Sequence, residues 1–226
     1  MTFSVLGRCG RTGQMGMAIS SSSPAVAARC AWAEAGVGVV ATQNITDPAL
    51  GAKGLAAMAG GADAGQALAQ LVASAPFIDY RQLLLLDATG QTAQFSGTQT
   101  LGTHAVAEGE QVICGGNMLA SPMVPAAMVA AFEADPDLLL PERLLRALEA
   151  GLAAGGEAGP VHSAGLLVVD QDCWPLVELR VDWQDDAPLA AVRKAWQIYQ
   201  PQMTDYVMRA KDPRQAPGYG VPGDDR

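Results

Sequence analysis

Charge is scarce in this sequence, and lysine most of all. Only 16% of the 226 residues are charged, below the roughly 25% of ordinary globular usage. Lysine occurs three times, and 14 basic residues face 23 acidic ones for a formal net charge of −9. That balance excludes nucleic acid and anionic membrane surfaces as principal partners. Metal-binding residues are equally thin. Cys9, Cys30, Cys114 and Cys173 stand far apart with no C-x-x-C pair, and His104 and His162 cannot complete a ligand set. Neither a metal nor another cofactor is therefore expected. Widely spaced cysteines fit free thiols in a reducing, cytoplasmic setting. No run of about 20 apolar residues occurs, and no basic-then-apolar segment stands at the N-terminus, so neither a membrane span nor a signal peptide is expected.

What is abundant is alanine, 41 residues of it, in a chain that is 50% apolar. Such a chain can bury a sizeable core. The reading is one domain over residues 1–200 and an extended tail over 201–226, where Pro201, Pro213, Pro217 and Pro222 mix with charges and glycine. The apolar excess also predicts a homo-oligomer, a dimer in the first instance. Light scattering at micromolar concentration should return twice the chain mass, and a monomeric mass would refute it.

Hydrophobic patterning predicts an α+β fold. Phe3-Ser4-Val5-Leu6-Gly7 and Gly16-Met17-Ala18-Ile19-Ser20 read as paired strands around the turn Gly10-Arg11-Thr12-Gly13. Residues 36–42 form a third strand. Helices follow over 48–59 and 62–73, the first with Asp47 as cap and Pro48 at its start. A hairpin spans 81–87 and 91–97, its first strand apolar on both faces through Leu83–Leu86. A strand over 110–114, helices over 121–134 and 141–154, a hairpin over 165–170 and 176–182, and a helix over 189–199 complete the chain. Strands arrive as hairpins, which favours antiparallel sheets under helix layers over a doubly wound parallel sheet. Gly7, Gly10, Gly13 and Gly16 resemble a dinucleotide loop only in spacing, because a strand and not a helix follows them.

The most informative chemistry lies at residue two. Thr2 has a side chain small enough for Met1 to be trimmed, which exposes a hydroxyl and an α-amine on one residue. With a reference pKa of about 7.7–8.0, that amine is partly neutral and can take the hydroxyl proton itself. Gly115-Gly116-Asn117-Met118 ends a strand before a helix, where Asn117 and backbone N–H groups can stabilise an oxyanion. Gln43, in Ala41-Thr42-Gln43-Asn44, supplies a polar wall. Arg8 shares a strand face with Thr2 under strict alternation and can hold a substrate carboxylate. His162, after the glycine-rich residues 154–160, and Asp182 complete the expected substrate-binding set.

Those residues carry a family resemblance. Thr2-Phe3-Ser4-Val5, Thr12-Gly13, Trp32 with Ala35-Gly36-Val37-Gly38, and Ala41-Thr42-Gln43 come first. Gly51, Gly54-Leu55, Gly116-Asn117-Met118-Leu119-Ala120, Leu148-Glu149-Ala150-Gly151, Ser163-Ala164 and Leu179-Arg180-Val181-Asp182 follow in order. The ordered set resembles an uncharacterised bacterial and archaeal domain-of-unknown-function family placed among the Ntn (N-terminal nucleophile) hydrolases. The resemblance implies a four-layer αββα sandwich of two antiparallel sheets between helix layers, with Thr2 as nucleophile. It departs from the family pattern at Cys9, where an acidic residue is usual, at Gly10, at His162 and at Trp183-Gln184. The leading expectation is an amide hydrolase acting on a small amide or peptide-like molecule. The alternative is a catalytically silent αββα protein that binds a small ligand or serves as an oligomeric scaffold.

Overall fold

The computed structural model of the chain describes residues 1–224. Two antiparallel sheets lie face to face between helices. The larger contains β1 (Thr2–Arg8), β2 (Met15–Ser21), β7 (Ala105–Gly109), β8 (Val112–Asn117), β9 (Ser163–Val169) and β10 (Val177–Val181), in the order β10-β9-β2-β1-β8-β7. The smaller contains β3 (Ala31–Glu34), β4 (Gly38–Asn44), β5 (Arg81–Asp87) and β6 (Thr92–Ser96), paired in that order. Helices α2 (Ala49–Ala59) and α3 (Ala64–Ser74) cover the outer face of the smaller sheet. Helices α4 (Val124–Glu133), α5 (Leu140–Ala153) and α6 (Pro188–Tyr199) cover the larger one. The result is the expected α+β sandwich, layered αββα.

Period-two alternation explains the layers. In β1, Phe3 and Val5 point to the helices while Leu6 points between the sheets. There Leu6 meets Met15, Met17 and Ile19 of β2, Ile113 of β8, and Val39, Ala41, Leu84 and Leu86 of the smaller sheet. The leucine run of β5 divides the same way. Leu84 and Leu86 enter the inter-sheet core, whereas Leu83 and Leu85 pack beneath α2 and α3. A strand buried on both faces needs apolar residues at every position, so the run shows no alternation. Each such side chain contributes roughly 1.5–3 kcal/mol on burial.

Local chemistry sets the helix ends. Asp63 and Gln66 form a capping box on α3, with Gln66 N donating to Asp63 Oδ1 at 2.8 Å and Asp63 N to Gln66 Oε1 at 3.2 Å. On α5, Leu144, Leu145 and Leu148 face inward. Its polar face is not simply solvated, because Arg193 of α6 bonds Glu149 at 2.8 and 2.9 Å and also reaches Glu142. The glycine-rich turn closes a hairpin. Gly13 takes φ +79°, and Cys9 N donates to Gln14 O at 2.9 Å before β2 begins. Gly7 has a different reason to lack a side chain, since a Cβ there would lie 2.5 Å from the Phe132 ring.

Three features differ from the sequence reading. Residues 203–211 are not extended but form α7 (Met203–Lys211), because Met203 and Val207 find apolar cover against the α6 side of the core. The short helix α1 (Val26–Cys30) and strand β3 fill residues 26–34. Strand β7 pairs with β8 at the sheet edge, where its residues are only partly buried. Among the described residues, no helix is long and apolar enough to cross a membrane.

Candidate active site

The inter-sheet core is apolar along most of its depth and polar at one rim. At that end the inward position of six strands is a hydroxyl or an amide. Thr2 and Ser4 come from β1, Ser21 from β2, Gln43 from β4, Gln82 from β5, Ser96 from β6 and Asn117 from β8. All except Ser96 are buried, Thr2 at 5% exposure and the rest at 0%. Buried polar groups at this density stand only if they bond one another.

The bonds run in one direction. Ser4 Oγ donates to Gln43 Oε1 at 2.9 Å, and Gln43 Nε2 donates to Gln82 Oε1 at 2.9 Å. Gln82 Nε2 then donates to the Gly116 carbonyl and to Ser96 Oγ, each at 3.1 Å. A carbonyl can only accept, so the Gly116 contact fixes which end of the Gln82 amide is nitrogen. Gln82 Oε1 must therefore accept, and it also takes the Asn117 Nδ2 donor at 3.1 Å. Asn117 is thereby oriented as well. One of its N–H groups is engaged, and its Oδ1 is buried with no hydrogen-bond partner.

Thr2 sits directly opposite Asn117 in the β1–β8 ladder. Its Oγ1 donates to the Met1 carbonyl oxygen and lies 3.5 Å from Ser21 Oγ, which donates to the same carbonyl. The backbone turns left-handed immediately after two of these side chains, at Asn44 (φ 71°) and Met118 (φ 50°). Asn44 is held there by its own amide, which donates to the Tyr80 carbonyl at 2.7 Å and accepts from Leu101 N at 3.2 Å.

An acid joins the rim from a loop. Leu119 bridges Glu157, Ala120 N donates to the Gly156 carbonyl at 3.0 Å, and Ala158 N donates to the Met118 carbonyl at 2.9 Å. These bonds seat Glu157 beside the end of β8. Its carboxylate is 4% exposed and accepts from Ser22 N at 3.1 and 3.2 Å. Burial pushes the Glu157 carboxyl up to about 7, against the opposing pull of the Met1 amino group, the Ser22 N–H and His162.

Thr2, Asn117 and Gln43 are thus brought to one rim. His162 reaches its edge, with its backbone N donating to the Ser21 carbonyl at 2.8 Å and its ring stacked on Trp183 at 4.5 Å. Asp182 lies beyond the end of β10, three strand spacings or about 14 Å from β1. It is exposed and paired with Arg180 at 3.2 Å. Arg8 shares the Thr2 face as alternation requires, but at the opposite end of β1, roughly 20 Å away by strand rise. There it bonds Gln111 and lines a separate cavity of about 520 Å³ with Cys9, Arg11 and Arg143.

Ser21, Gln82 and Glu157 escape a reading by motif. Ser21 is one of a run of serines outside any nucleophile elbow. Glu157 stands in residues 154–160, which read only as glycine-rich. Gln82 carries a usable signal, as the one amide ahead of a leucine run whose inward positions are otherwise apolar.

Comparison with known proteins agrees with this architecture. A crystal structure of protein SPO2555 from Silicibacter pomeroyi, titled with the family model DUF1028, is 30% identical with a TM-score of 0.82. That match covers 88% of this chain and 89% of the other. Anbu (ancestral beta-subunit) from Yersinia bercovieri aligns at 11% identity and TM-score 0.40, over 97% of this chain and all of that one. An Anbu (Gly-1) mutant from Hyphomicrobium sp. strain MC1 aligns at 13% and 0.39, over 90% and 96%. No curated protein matches. The family model of DUF1028 matches residues 2–192, and the chain belongs to that family of unknown function.

Proposed function

We propose that the protein is an Ntn-type amide hydrolase in which Thr2, freed of Met1, is nucleophile and base at once. The observation that carries this reading is the placement of Thr2. It opens a central strand directly opposite Asn117, at a rim of buried hydrogen-bonding side chains. Thr2 Oγ1 attacks the substrate carbonyl while the Thr2 α-amine accepts the hydroxyl proton. Ser21 Oγ and the second N–H of Asn117 are placed to donate to the oxyanion. Gln43 and Gln82 hold Asn117 and Ser4 in register, and His162 with Trp183 walls the entrance. Arg8 and Asp182 have no part in this site. The assembly we propose is a homodimer.

The second reading, a silent ligand-binding protein, is favoured by the departures from the family pattern at His162 and Trp183, whose rings stack on one another. One experiment separates the two. A threonine-reactive β-lactone should add one equivalent to protein whose first residue is Thr2, and none to Thr2→Ala. Intact mass reads both the adduct and the state of Met1. No adduct on Thr2-first protein supports the silent reading.

A further inference from the structure

The cavity at the far end of β1 from Thr2 is a charged one. The end of β1 supplies Arg8, the turn between β7 and β8 supplies Gln111, and the first turn of α5 supplies Arg143. Its volume of about 520 Å³ lies within the range of small-molecule sites. The wall is packed rather than loose. Arg8 N donates to the Gln111 carbonyl at 2.9 Å, and the Gln111 side chain runs where a Cβ on Gly10 would lie 2.8 Å from its Nε2 and a Cβ on Gly90 2.7 Å from its Cγ.

Arg143 is a buried cation, 7% exposed. Its guanidinium lies over the Phe132 ring, 3.9 Å from the centroid, and its Nε donates to the Phe132 carbonyl at 3.1 Å. Those two contacts fix the plane of the fork. Among the described residues, Nη1 and Nη2 make no hydrogen bond and no carboxylate forms an ion pair with Arg143. Arg8 shares this condition. Its Nη1 donates to the neutral side-chain oxygen of Gln111, its Nε is buried with no acceptor, and it too has no acidic partner among the described residues. Burying a cation without a counter-charge is costly, and an anion brought by a ligand offsets that cost.

The acids of the cavity stand at its mouth and are otherwise engaged. Asp137 pairs with Arg11 at 3.3 Å, Glu133 Oε1 accepts from Glu110 N at 2.7 Å, and Asp137, Glu133 and Glu110 are all exposed. Guanidinium groups inside and carboxylates outside select for both charge and shape. A phosphate monoester, at about −1.5 to −2 near neutral pH, is repelled by the mouth more than a single carboxylate is. The two oxygens of a carboxylate also match a planar guanidinium edge to edge.

We propose that this cavity binds a small molecule through one carboxylate, held edge to edge by Arg143 with Arg8 as the second positive charge. The site is separate from the Thr2 rim and does not depend on whether Met1 is present.

Fluorine NMR of the full chain tests the proposal. 4-Fluorobenzoate should bind with a Kd of about 1 mM or tighter at low salt, and 4-fluorobenzamide, alike in shape but uncharged, at least about tenfold more weakly. Arg143→Met keeps an unbranched side chain on the Phe132 ring and should weaken benzoate binding at least about tenfold, with Arg8→Gln weakening it about threefold or more. A weaker Kd on the unmutated protein overturns the proposal, and so does equal binding of the acid and the amide. Arg143→Met protein that binds benzoate as the parent does also overturns it. Inorganic phosphate that displaces benzoate at lower concentration than acetate does would overturn the choice of a carboxylate. Should Arg143→Met fail to fold, unchanged binding by Arg8→Gln is the overturning result.

Discussion

Gln82→Leu should destabilise the fold by about 3 kcal/mol or more, although it changes little volume and adds an apolar side chain to a leucine-rich strand. Gln82 is the junction of the buried polar rim. Its Oε1 accepts from Gln43 and Asn117, and its Nε2 donates to Ser96 and the Gly116 carbonyl. Leucine leaves the Gln43 and Asn117 amides without their acceptor in a dry site, and each abandoned group costs roughly 1–3 kcal/mol. Urea denaturation reads the effect. The control is Leu83→Met on the opposite face of the same strand, a volume-conserving change that should cost under about 1.5 kcal/mol. A Gln82→Leu protein within about 1 kcal/mol of the parent would show that the amide chain is not what organises the rim.

Protein that retains Met1 should lose stability as pH rises from 4.5 to 7, by about 3 kcal/mol from Glu157 alone. In the unfolded chain this carboxyl titrates at its ordinary value of 4.5, whereas burial keeps it protonated in the folded chain up to about 7. Across that window the folded state binds more protons, so each increment of pH favours unfolding. Above 7 the contribution is constant. Glu157→Gln keeps an acceptor for Ser22 N and removes the ionisation. The variant should therefore match the parent near pH 4.5 and exceed its stability by a similar margin at pH 8. Parallel pH profiles for the two proteins, measured by urea unfolding, would refute the assignment.

Much of this fold is legible in the sequence because its signals are local. The β1–β2 hairpin announces itself by apolar runs on either side of Gly10-Arg11-Thr12-Gly13. The helix over 141–154 declares its start through Pro141 at the first turn of α5. What stays hidden is set by partners. Ala31-Trp32-Ala33-Glu34 is a strand because β4 lies beside it, and its own residues alternate too weakly to say so. Helix α7 forms in a proline-bearing stretch because Met203 and Val207 find cover. The site divides in the same manner. Thr2 is readable from its position, and Asn117 and Gln43 from strand ends followed by turns. The hydrogen-bonded chain through Gln82 depends on the register of two sheets, and the seat of Glu157 on a loop crossing the end of β8. No local pattern encodes either one. Arg8 shows the limit of alternation, which identifies a face but not a distance along it.

The burial of Thr2 has a consequence in time. Once β1 pairs with β2 and β8, the bond between Met1 and Thr2 is seated under two hydroxyls at a residue 5% exposed. A trimming enzyme needs that bond in an extended, accessible stretch. Such a stretch exists only while the chain is still emerging and β8, more than a hundred residues downstream, has yet to be made. On the proposed mechanism, Met1 must therefore leave before β8 pairs with β1.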